Sequence, residues 1–436
     1  MYSGKFDTSI SAANNDNTIG TLCVMDCTIG IQVKQISCGG QHCAIVTNDG
    51  KVLTWGKGSY GRLGHGNYNP IECPTEVQSL VDLFITKVTC GFAFTSAITS
   101  EGSIYSWGAN ENGRLGLGDT EDKTVPVRVN LNEHKVIDVC AGSVHSCVLT
   151  SKGLVFTYGK LEYTGHASTE SGDILFPMLL DHFDGIPIKQ ISSGFGGYHT
   201  LALTERGSLY AWGHNRVSQT GIPNTESTCR NAEGAFVITK PTIVELSERV
   251  KKISCGWGHS VIVTTSGALS CGRNTDGQLG IGNQSLGSLK VNERGHTYQP
   301  YFRKIKELEN LDVLDVSCGG DHSVFRIGLG DDSNAIYSCG SNAHGQLCQK
   351  MDSVNDQNCF FHEPVYSKQL KEVGRSISQI ECAGESTLFL FSNYIPPTLK
   401  EICTSIIQQY PDKYNEQHHF KNIKELANYY EIASKE

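Results

Sequence analysis

Several common features are missing from this sequence of 436 residues. It contains no run of about 18 apolar residues, so no membrane-spanning helix is expected. No apolar run follows Lys5, so no secretory signal is predicted. Charged residues make up 19% of the chain, too few for a long coiled coil. We therefore expect a soluble intracellular protein in the cytoplasm, with the nucleus as an alternative.

Motifs for catalysis and cofactor binding are also missing. The chain has 17 cysteines but no C-x-x-C pair, and no phosphate-binding loop, H-E-x-x-H motif or serine nucleophile elbow. With 36 basic and 45 acidic residues and no basic run, direct binding to nucleic acid is disfavoured. We expect no intrinsic catalysis, no cofactor and no metal.

What the sequence does contain is a repeat. A segment similar to Ile-Ser-Cys-Gly occurs seven times, at intervals of 52, 51, 52, 62, 63 and 64 residues. Most units continue with a Trp-Gly or Cys-Gly pair and then a G-x-L-G turn such as Gly113–Gly116. Short strands between glycine turns at a period of about 50 predict the blades of a β-propeller. The segments begin at Ile36, Val88, Val139, Ile191, Ile253, Val316 and Ile380.

Six prolines recur in register, each before a short apolar run. Proline has no N–H to donate, so we expect each one to begin an outer strand at a sheet edge. They are Pro74, Pro126, Pro177, Pro241, Pro300 and Pro364.

The seventh unit is incomplete, because its pattern stops at Phe391. The chain opens with Tyr2–Gly4 and Gly20–Cys23, which resemble the missing part of a unit. We expect these N-terminal strands to complete the last blade, which removes an open sheet edge. The prediction is an all-β, seven-bladed β-propeller over residues 1–394.

The last residues, 395–436, differ from the repeats. Apolar residues follow helical spacing from Leu399 to Tyr410 and from Phe420 to Tyr430. We predict a short α-helical tail, which either docks on the propeller or begins a further domain or a dimer interface.

The combination of G-x-x-H, W-G and G-x-L-G resembles the regulator of chromosome condensation (RCC) repeat family. Members of this family form seven-bladed propellers, so the resemblance implies the same fold. Kelch and WD propellers fit less well, because their repeats carry other signatures. In exchange-factor members, acidic and histidine residues on one loop face contact a GTPase.

Two patterns allow a ligand site as an alternative. Gly56–Gly61 matches G-x-G-x-x-G, but no helix is predicted after it, so a propeller turn fits better than a dinucleotide site. Cys38 and His42, like two equivalent pairs, have C-x-x-x-H spacing. A ring of blades would hold these pairs apart, which disfavours zinc. We interpret the cysteines as small apolar side chains near the axis.

The candidate partner-binding residues follow the repeat starts. Five histidines share one register, and we expect them mainly to satisfy neighbouring backbone groups, with partner contact as the alternative. An aspartate directly precedes the last histidine, as the resemblance to exchange factors requires, but in only one unit. The candidates are His42, His145, His199, His259, His322 and Asp321.

Longer polar segments follow Gly221, Gly280 and Leu347, and Asp7–Thr18 is similar. They indicate a recognition face on one side or tolerated loop growth. We therefore expect a non-catalytic RCC-type platform that binds a protein partner through its loops. The resemblance suggests a small GTPase or a client of the ubiquitin pathway. The alternative is a guanine nucleotide exchange factor for a small GTPase.

Overall fold

Antiparallel strands make up nearly all of the regular secondary structure in the computed structural model. The predicted helices within residues 395–436 and the segments Asp7–Thr18 and Gly20–Cys23 lie outside the described residues. The described residues are 2–4, 31–167, 172–194, 196–282, 289–330, 334–349, 360–368, 370 and 376–391.

Six sheets follow one another along the chain, and we number them as blades 1 to 6. Blade 1 contains β2 (Val33–Cys38), β3 (His42–Thr47), β4 (Val52–Gly56) and β5 (Ile71–Glu76). Blade 2 contains β6 (Ile85–Cys90), β7 (Phe94–Thr99), β8 (Ile104–Gly108) and β9 (Lys123–Arg128). Blade 3 contains β10 (Val136–Ala141), β11 (His145–Thr150), β12 (Val155–Gly159) and β13 (Ile174–Leu179).

The remaining three blades have the same antiparallel order. Blade 4 contains β14 (Ile188–Ser193), β15 (His199–Thr204), β16 (Leu209–His214) and β17 (Val237–Val244). Blade 5 contains β18 (Val250–Cys255), β19 (His259–Thr264), β20 (Gly267–Arg273), β21 (Lys290–Val291) and β22 (Thr297–Lys304). Blade 6 contains β23 (Val313–Cys318), β24 (His322–Gly328), β25 (Asn334–Ser341) and β26 (Phe360–Tyr366).

Helical elements in the described part of the chain are short. No helix there combines the length and apolar character needed to cross a membrane. They are α1 (Leu161–Thr164) and the 3-10 turns Ser59–Gly61, Gln78–Leu80, Glu111–Gly113, Asp181–Phe183 and Lys306–Leu308.

A three-stranded sheet, which we call the closing sheet, joins the two ends of the repeat array. It contains β27 (Ile377–Ala383), β28 (Ser386–Phe391) and β1 (Tyr2–Gly4), with Tyr2 opposite Leu388.

Hydrogen bonds connect the closing sheet to both neighbouring blades. The Cys382 amide donates to Ser317 Oγ at 2.9 Å in blade 6, and Gln379 Nε2 donates to the Ile36 carbonyl at 2.9 Å in blade 1. The structure is thus an all-β propeller. The expectation of seven complete blades is corrected to six, because the closing sheet has only three strands among the described residues.

The core lies between the blades. In blades 1 to 5, every residue of the second strand is buried, as in β3 and β7, whereas the outer strand β5 has exposed residues. One apolar cluster joins Ala44 and Val46 of blade 1 to Val88 and Trp107 of blade 2. Each sheet therefore buries its faces against its neighbours, which explains why the repeats fold together.

Five of the six prolines lie in the outermost strand of their blade, as expected, and Pro300 lies in β22, which is flanked by β21; all six lie inside the strand rather than at its start. Pro74 is the fourth residue of β5, and Pro241 is the fifth residue of β17. The expectation that proline begins these strands is therefore wrong. An outer strand tolerates proline in its interior, because the N–H groups along its free edge need no acceptor in a neighbouring strand.

The G-x-x-H and W-G signatures meet in one sheet. His42 lies opposite Gly56, where φ is 111°. A Cβ atom on Gly56 would lie 2.7 Å from His42 Cα, and one on Gly39 would lie 2.6 Å from the His42 ring. Both glycines are needed because the imidazole and its backbone occupy the space that a side chain would fill.

Candidate functional site

The predicted recognition loops leave the ring at one end, which we call the loop face. In an antiparallel blade, the turn between the first and second strands and the loop between the third and fourth strands lie at the same end. The loop face therefore carries turns such as 256–258 and 319–321, the longer loop 215–236, and the described segments 274–282 and 289–296, which include β21. The described parts of the insertions after Gly221 and Gly280 belong to this face.

The five predicted histidines lie beneath the loop face, and their side chains are 0% exposed. Each Nε2 atom lies 2.8 to 2.9 Å from a hydroxyl oxygen of the next blade or the closing sheet. The pairs are His42–Thr95, His145–Thr200, His199–Ser260, His259–Ser323 and His322–Thr387.

The hydroxyl groups define which imidazole nitrogen carries the proton. Ser323 Oγ donates its only hydrogen to the Gln278 carbonyl at 2.8 Å, and Thr95 Oγ1 donates to the Arg62 carbonyl at 2.8 Å. These oxygens can therefore only accept from the histidines, so Nε2 is the donor. Burial keeps the rings neutral, because it lowers the pKa of His259 to about 3 and that of His145 to about 4.

These contacts assign the histidines a bridging role between blades. A fully buried ring does not present itself to a partner, and direct partner contact by His42, His145, His199, His259 or His322 stays a prediction that no comparison tests.

The C-x-x-x-H pairs do not converge on a metal site. Cys38 Sγ lies 2.7 Å from Cys43 Sγ, while the neighbouring His42 ring faces Thr95. In the ranges that the structure describes, no three His, Cys, Asp or Glu side chains are grouped so that they could hold a metal ion.

The cysteine register lines a central cavity of about 310 Å³ together with other first-strand residues. Burial raises the pKa of the Cys318 thiol to about 11, so this thiol is protonated at neutral pH. The prediction of small side chains near the axis is confirmed. Burial also raises the pKa of Glu381, in the same cavity, to about 7.

Asp321 lies at the loop face but is engaged by blade 5. Its Oδ1 atom lies 3.3 Å from Arg273 Nη1 and accepts a hydrogen bond from Gln278 Nε2 at 3.0 Å. Burial raises the pKa of the carboxyl group, and the Arg273 charge opposes that shift. Asp321 therefore joins two blades and is partly accessible at the same time.

A second acidic residue has the equivalent place in the closing sheet and was missed by the sequence analysis. Glu385 directly precedes Ser386, and its Oε2 atom lies 3.0 Å from His344 Nε2. The register after Gly384 could have indicated it, but Ser386 replaces the histidine that marks this position elsewhere.

A cavity of about 520 Å³, the loop-face cavity, is lined by residues of blades 2 to 5. One wall is aromatic: the Tyr163 and Tyr198 ring centroids are 5.2 Å apart, and the Tyr198 and His214 centroids are 6.1 Å apart. Trp257 adds a further ring beside Gly196. Tyr198 is 37% exposed and Trp257 is 38% exposed, so both offer apolar surface to a partner.

The other wall of the loop-face cavity is basic. It includes Arg216, Arg273 and Arg294. Burial, together with the charges of Arg216 and Arg294, lowers the pKa of His214 to about 4, so both guanidinium groups act on the same ring. The repeat pattern does not indicate these residues, because Arg216 has a variable position of the repeating turn, with Glu111 as its equivalent in blade 2, and Arg294 lies in an insertion.

The sequence of this chain is similar to proteins of one known family. The model of the RCC1-like domain matches residues 14–389. The ultraviolet-B receptor UVR8 of Arabidopsis thaliana is 38% identical over 257 residues, which cover 58% of this chain and 56% of the receptor. The human E3 ubiquitin-protein ligase HERC2 is 35% identical over 54% of this chain and 5% of the ligase. The match thus spans about half of UVR8 and a small part of HERC2.

A solved structure agrees in fold. Prp20p from Saccharomyces cerevisiae superposes with a TM-score of 0.73 at 19% identity, over 93% of this chain and 94% of that chain. This identity supports the fold alone. The match of the family model over residues 14–389 shows that the chain belongs to the RCC1-like domain family.

Proposed function

We propose that this protein is a non-catalytic interaction platform that binds a protein partner through the loop face. The observation that carries the proposal is the loop-face cavity, where half-exposed aromatic rings stand beside arginines. Aromatic and arginine side chains are enriched at protein interfaces, because they combine a large apolar area with polar groups that hydrogen-bond.

The relatives support a binding role. The Prp20p structure is described together with that protein's binding to Gsp1p and histones. HERC2 is an E3 ubiquitin-protein ligase, of which the match covers 5%. We therefore propose a small GTPase or a ubiquitin-pathway client as the partner, and the cytoplasm or nucleus as the location.

Partner capture by matched variants tests this proposal. The full chain is used as bait in cell extract, and partners are identified by mass spectrometry. The double substitution of Tyr198 and Trp257 by Ala is expected to reduce a specific partner at least tenfold. Val81→Ala is the control, because Val81 is exposed on the opposite end of the ring. Equal capture by both variants would place binding elsewhere and contradict the proposal.

A second candidate function is guanine nucleotide exchange. The observation that favours it is the presence of two carboxylates, Asp321 and Glu385, on the same loop face. Acidic residues on this face contact the GTPase in exchange factors of the RCC family.

A nucleotide-release assay with a panel of small GTPases separates the two functions. If the protein exchanges nucleotide, release of a fluorescent GDP analogue accelerates and Asp321→Ala removes most of the acceleration. Arg128→Gln, on the outer strand of blade 2, serves as the control. Release that stays at the intrinsic rate with every GTPase would exclude exchange and leave the platform role.

A further inference from the structure

The arginines of the loop-face cavity are poorly matched by acids. Arg216 Nε lies 3.9 Å from Glu293 Oε1, which is an ion-pair distance but too long for a hydrogen bond. Arg294 forms no ion pair within the described part of the chain. Of the three guanidinium groups, Arg273 has the closer acidic neighbours, Asp276 at 3.4 Å and Asp321 at 3.3 Å.

Arg216 is the most informative of the three. Its side chain is only 9% exposed, and it lines the cavity. Its Nε atom is buried and has no hydrogen-bond partner among the described residues. A buried donor without an acceptor has a free-energy cost, which is larger when the donor is charged. Such a cost at a cavity wall is relieved when a ligand supplies the acceptor.

The neighbouring imidazole leaves this charge uncompensated. Gln219 Nε2 donates to His214 Nδ1 at 2.7 Å, since Gln219 Oε1 already accepts the Val217 amide. His214 therefore carries its proton on Nε2 and supplies a further donor rather than an acceptor. The basic wall of the cavity thus has an excess of donors over acceptors.

The surroundings favour a peptide over a nucleic acid. Glu111 and Glu233 also line the cavity, and they would repel a continuous phosphate backbone. A single anionic group fits beside Arg216 and Arg294, while the half-exposed Tyr198 and Trp257 rings offer a surface for an adjacent apolar residue. A cavity of about 520 Å³ accommodates a few side chains.

We propose that the loop-face cavity binds an anionic side chain, a carboxylate or a phosphate, carried by a peptide segment of the partner. Arg216 and Arg294 hold the anionic group, and Tyr198 and Trp257 pack against the residue beside it. This inference rests on the proposed function and specifies the chemistry of the partner.

Direct binding measurements test the inference with defined probes. Fluorescein-labelled Gly-Tyr-Glu-Glu-Glu-Tyr-Gly, its counterpart with three glutamines, and a glutamine peptide with one central phosphoserine are titrated with the full chain by fluorescence anisotropy. Inorganic phosphate is the competitor, and a fluorescein-labelled thymidine hexanucleotide is the nucleic-acid probe. The glutamate or phosphoserine peptide is expected to bind at least tenfold more tightly than the glutamine peptide. The comparison of these two distinguishes carboxylate from phosphate.

Matched variants assign the binding to this cavity. Arg216→Gln and Arg294→Gln are each expected to weaken the anionic peptide at least tenfold, whereas Arg128→Gln leaves it within twofold. Arg294 is exposed, so its substitution tests the site even if Arg216→Gln lowers stability. Equal binding of the glutamine peptide, no binding up to 1 mM, or preference for the hexanucleotide would overturn the inference.

The outcome is separable from that of the proposed function. If the Tyr198 and Trp257 substitutions abolish partner capture while Arg216→Gln and Arg294→Gln retain it, the platform role stands and the anion site is wrong. If none of these variants changes capture, both proposals are wrong.

Discussion

A neutral imidazole carries one donor and one acceptor, and five buried histidines use the donor to hold a hydroxyl of the adjacent sheet. Four of these hydroxyls also donate their own hydrogen to a turn carbonyl, so each of them forms hydrogen bonds on two sides. They belong to Thr95, Ser260, Ser323 and Thr387. Because the rings must stay neutral for this arrangement, their protonation is coupled to folding.

Stability is expected to fall as the pH decreases from 7 to 5. Burial lowers the pKa of His199, His259 and His322 to about 3 and that of His145 to about 4, whereas an unfolded histidine titrates near about 6.5. The unfolded chain therefore binds more protons in this interval. Each of these histidines therefore lowers the free energy of unfolding by up to about 2 kcal/mol at pH 5 relative to pH 7. Urea unfolding of the full chain at both pH values measures the loss, and unchanged stability would contradict the neutral-ring assignment.

One carboxyl group opposes this trend and supplies a control. The pKa of Glu381 is raised to about 7, so its contribution to stability is present at low pH and lost as the pH rises towards 7. Glu381→Gln should therefore be more stable than the natural protein at pH 8 and should lose more stability on acidification to pH 5. A variant that is less stable at both pH values would contradict the raised pKa.

The bridge itself is tested at His259, whose Nε2 lies 2.9 Å from Ser323 Oγ. Phe94 has the same register in blade 2 and is fully buried, so a phenyl ring fits the position. His259→Phe should cost about 1 to 2 kcal/mol through the lost hydrogen bond. His259→Ala should cost about 3 kcal/mol or more, because it also leaves a cavity. Urea unfolding at pH 7 measures both, and equal costs would exclude the ring-packing term.

At the scale of elements, the signature glycines act by leaving room for their partner strand. Gly56 and Gly39 face the backbone and ring of His42. The last glycine of the G-x-L-G turn also leaves room for a neighbouring side chain. Gly116 has φ of 73°, and a Cβ atom there would lie 2.9 Å from the Tyr158 ring. The repeat signatures therefore describe contacts between elements rather than isolated turns.

Two glycines with positive φ separate crowding from backbone strain. A Cβ atom on Gly56 would meet backbone atoms at 2.6 and 2.7 Å, whereas Gly295, with φ of 78°, has nothing within 4 Å. Gly295→Ala should cost about 1 to 2 kcal/mol from backbone conformation alone. Gly56→Ala should cost about 2 to 4 kcal/mol, because the side chain must also displace the backbone of β3. Similar costs in chemical denaturation would show that crowding is unimportant.

At the scale of the whole molecule, closure depends on a short strand. Only three residues of β1 pair with β28 among the described residues, with Gly4 opposite Ser386. The same closing sheet is attached to blades 1 and 6 by side-chain hydrogen bonds. The free edge of β28 is thus covered by residues from the other end of the chain.

Removal of residues 1–4 is expected to expose that edge. The Tm should fall by about 1 °C for each kcal/mol of stability lost, because the shift per kcal/mol decreases with chain length. Hydrogen exchange should accelerate at the Ser386–Leu388 amides, while β16 in blade 4 should exchange at its original rate. Unchanged exchange in β28 would mean that β1 does not protect it.

The sequence was sufficient for the parts of the fold that repeat. The G-x-x-H and W-G spacings predicted the propeller, because each signature satisfies the same contact in several blades. The repeat could not place Pro74 within β5, because an edge strand tolerates proline at several positions. It also could not show that the candidate histidines are buried, because their register alone does not distinguish a loop from the first residue of a strand.

The loop-face cavity was beyond the reach of the repeat pattern for a physical reason. Its residues come from blades 2 to 5, and no other unit has an arginine at the positions of Arg216 and Arg294. Glu385 was hidden for the related reason that Ser386 replaces the histidine beside it. These residues differ between blades, and a repeat pattern indicates only the residues that the blades share.

Because β1 pairs with β28, two strands that are neighbours in the folded ring are synthesised at opposite ends of the repeat array. Since Tyr2 lies opposite Leu388, the beginning and end of the ring are neighbours. If a linker of a few residues replaced residues 392–436 and joined β28 to β1, the ring would be topologically continuous, and new termini could be opened at the exposed turn around Gly185. In such a circular permutant every blade would keep both neighbours, and blade 4 would be the first to leave the ribosome.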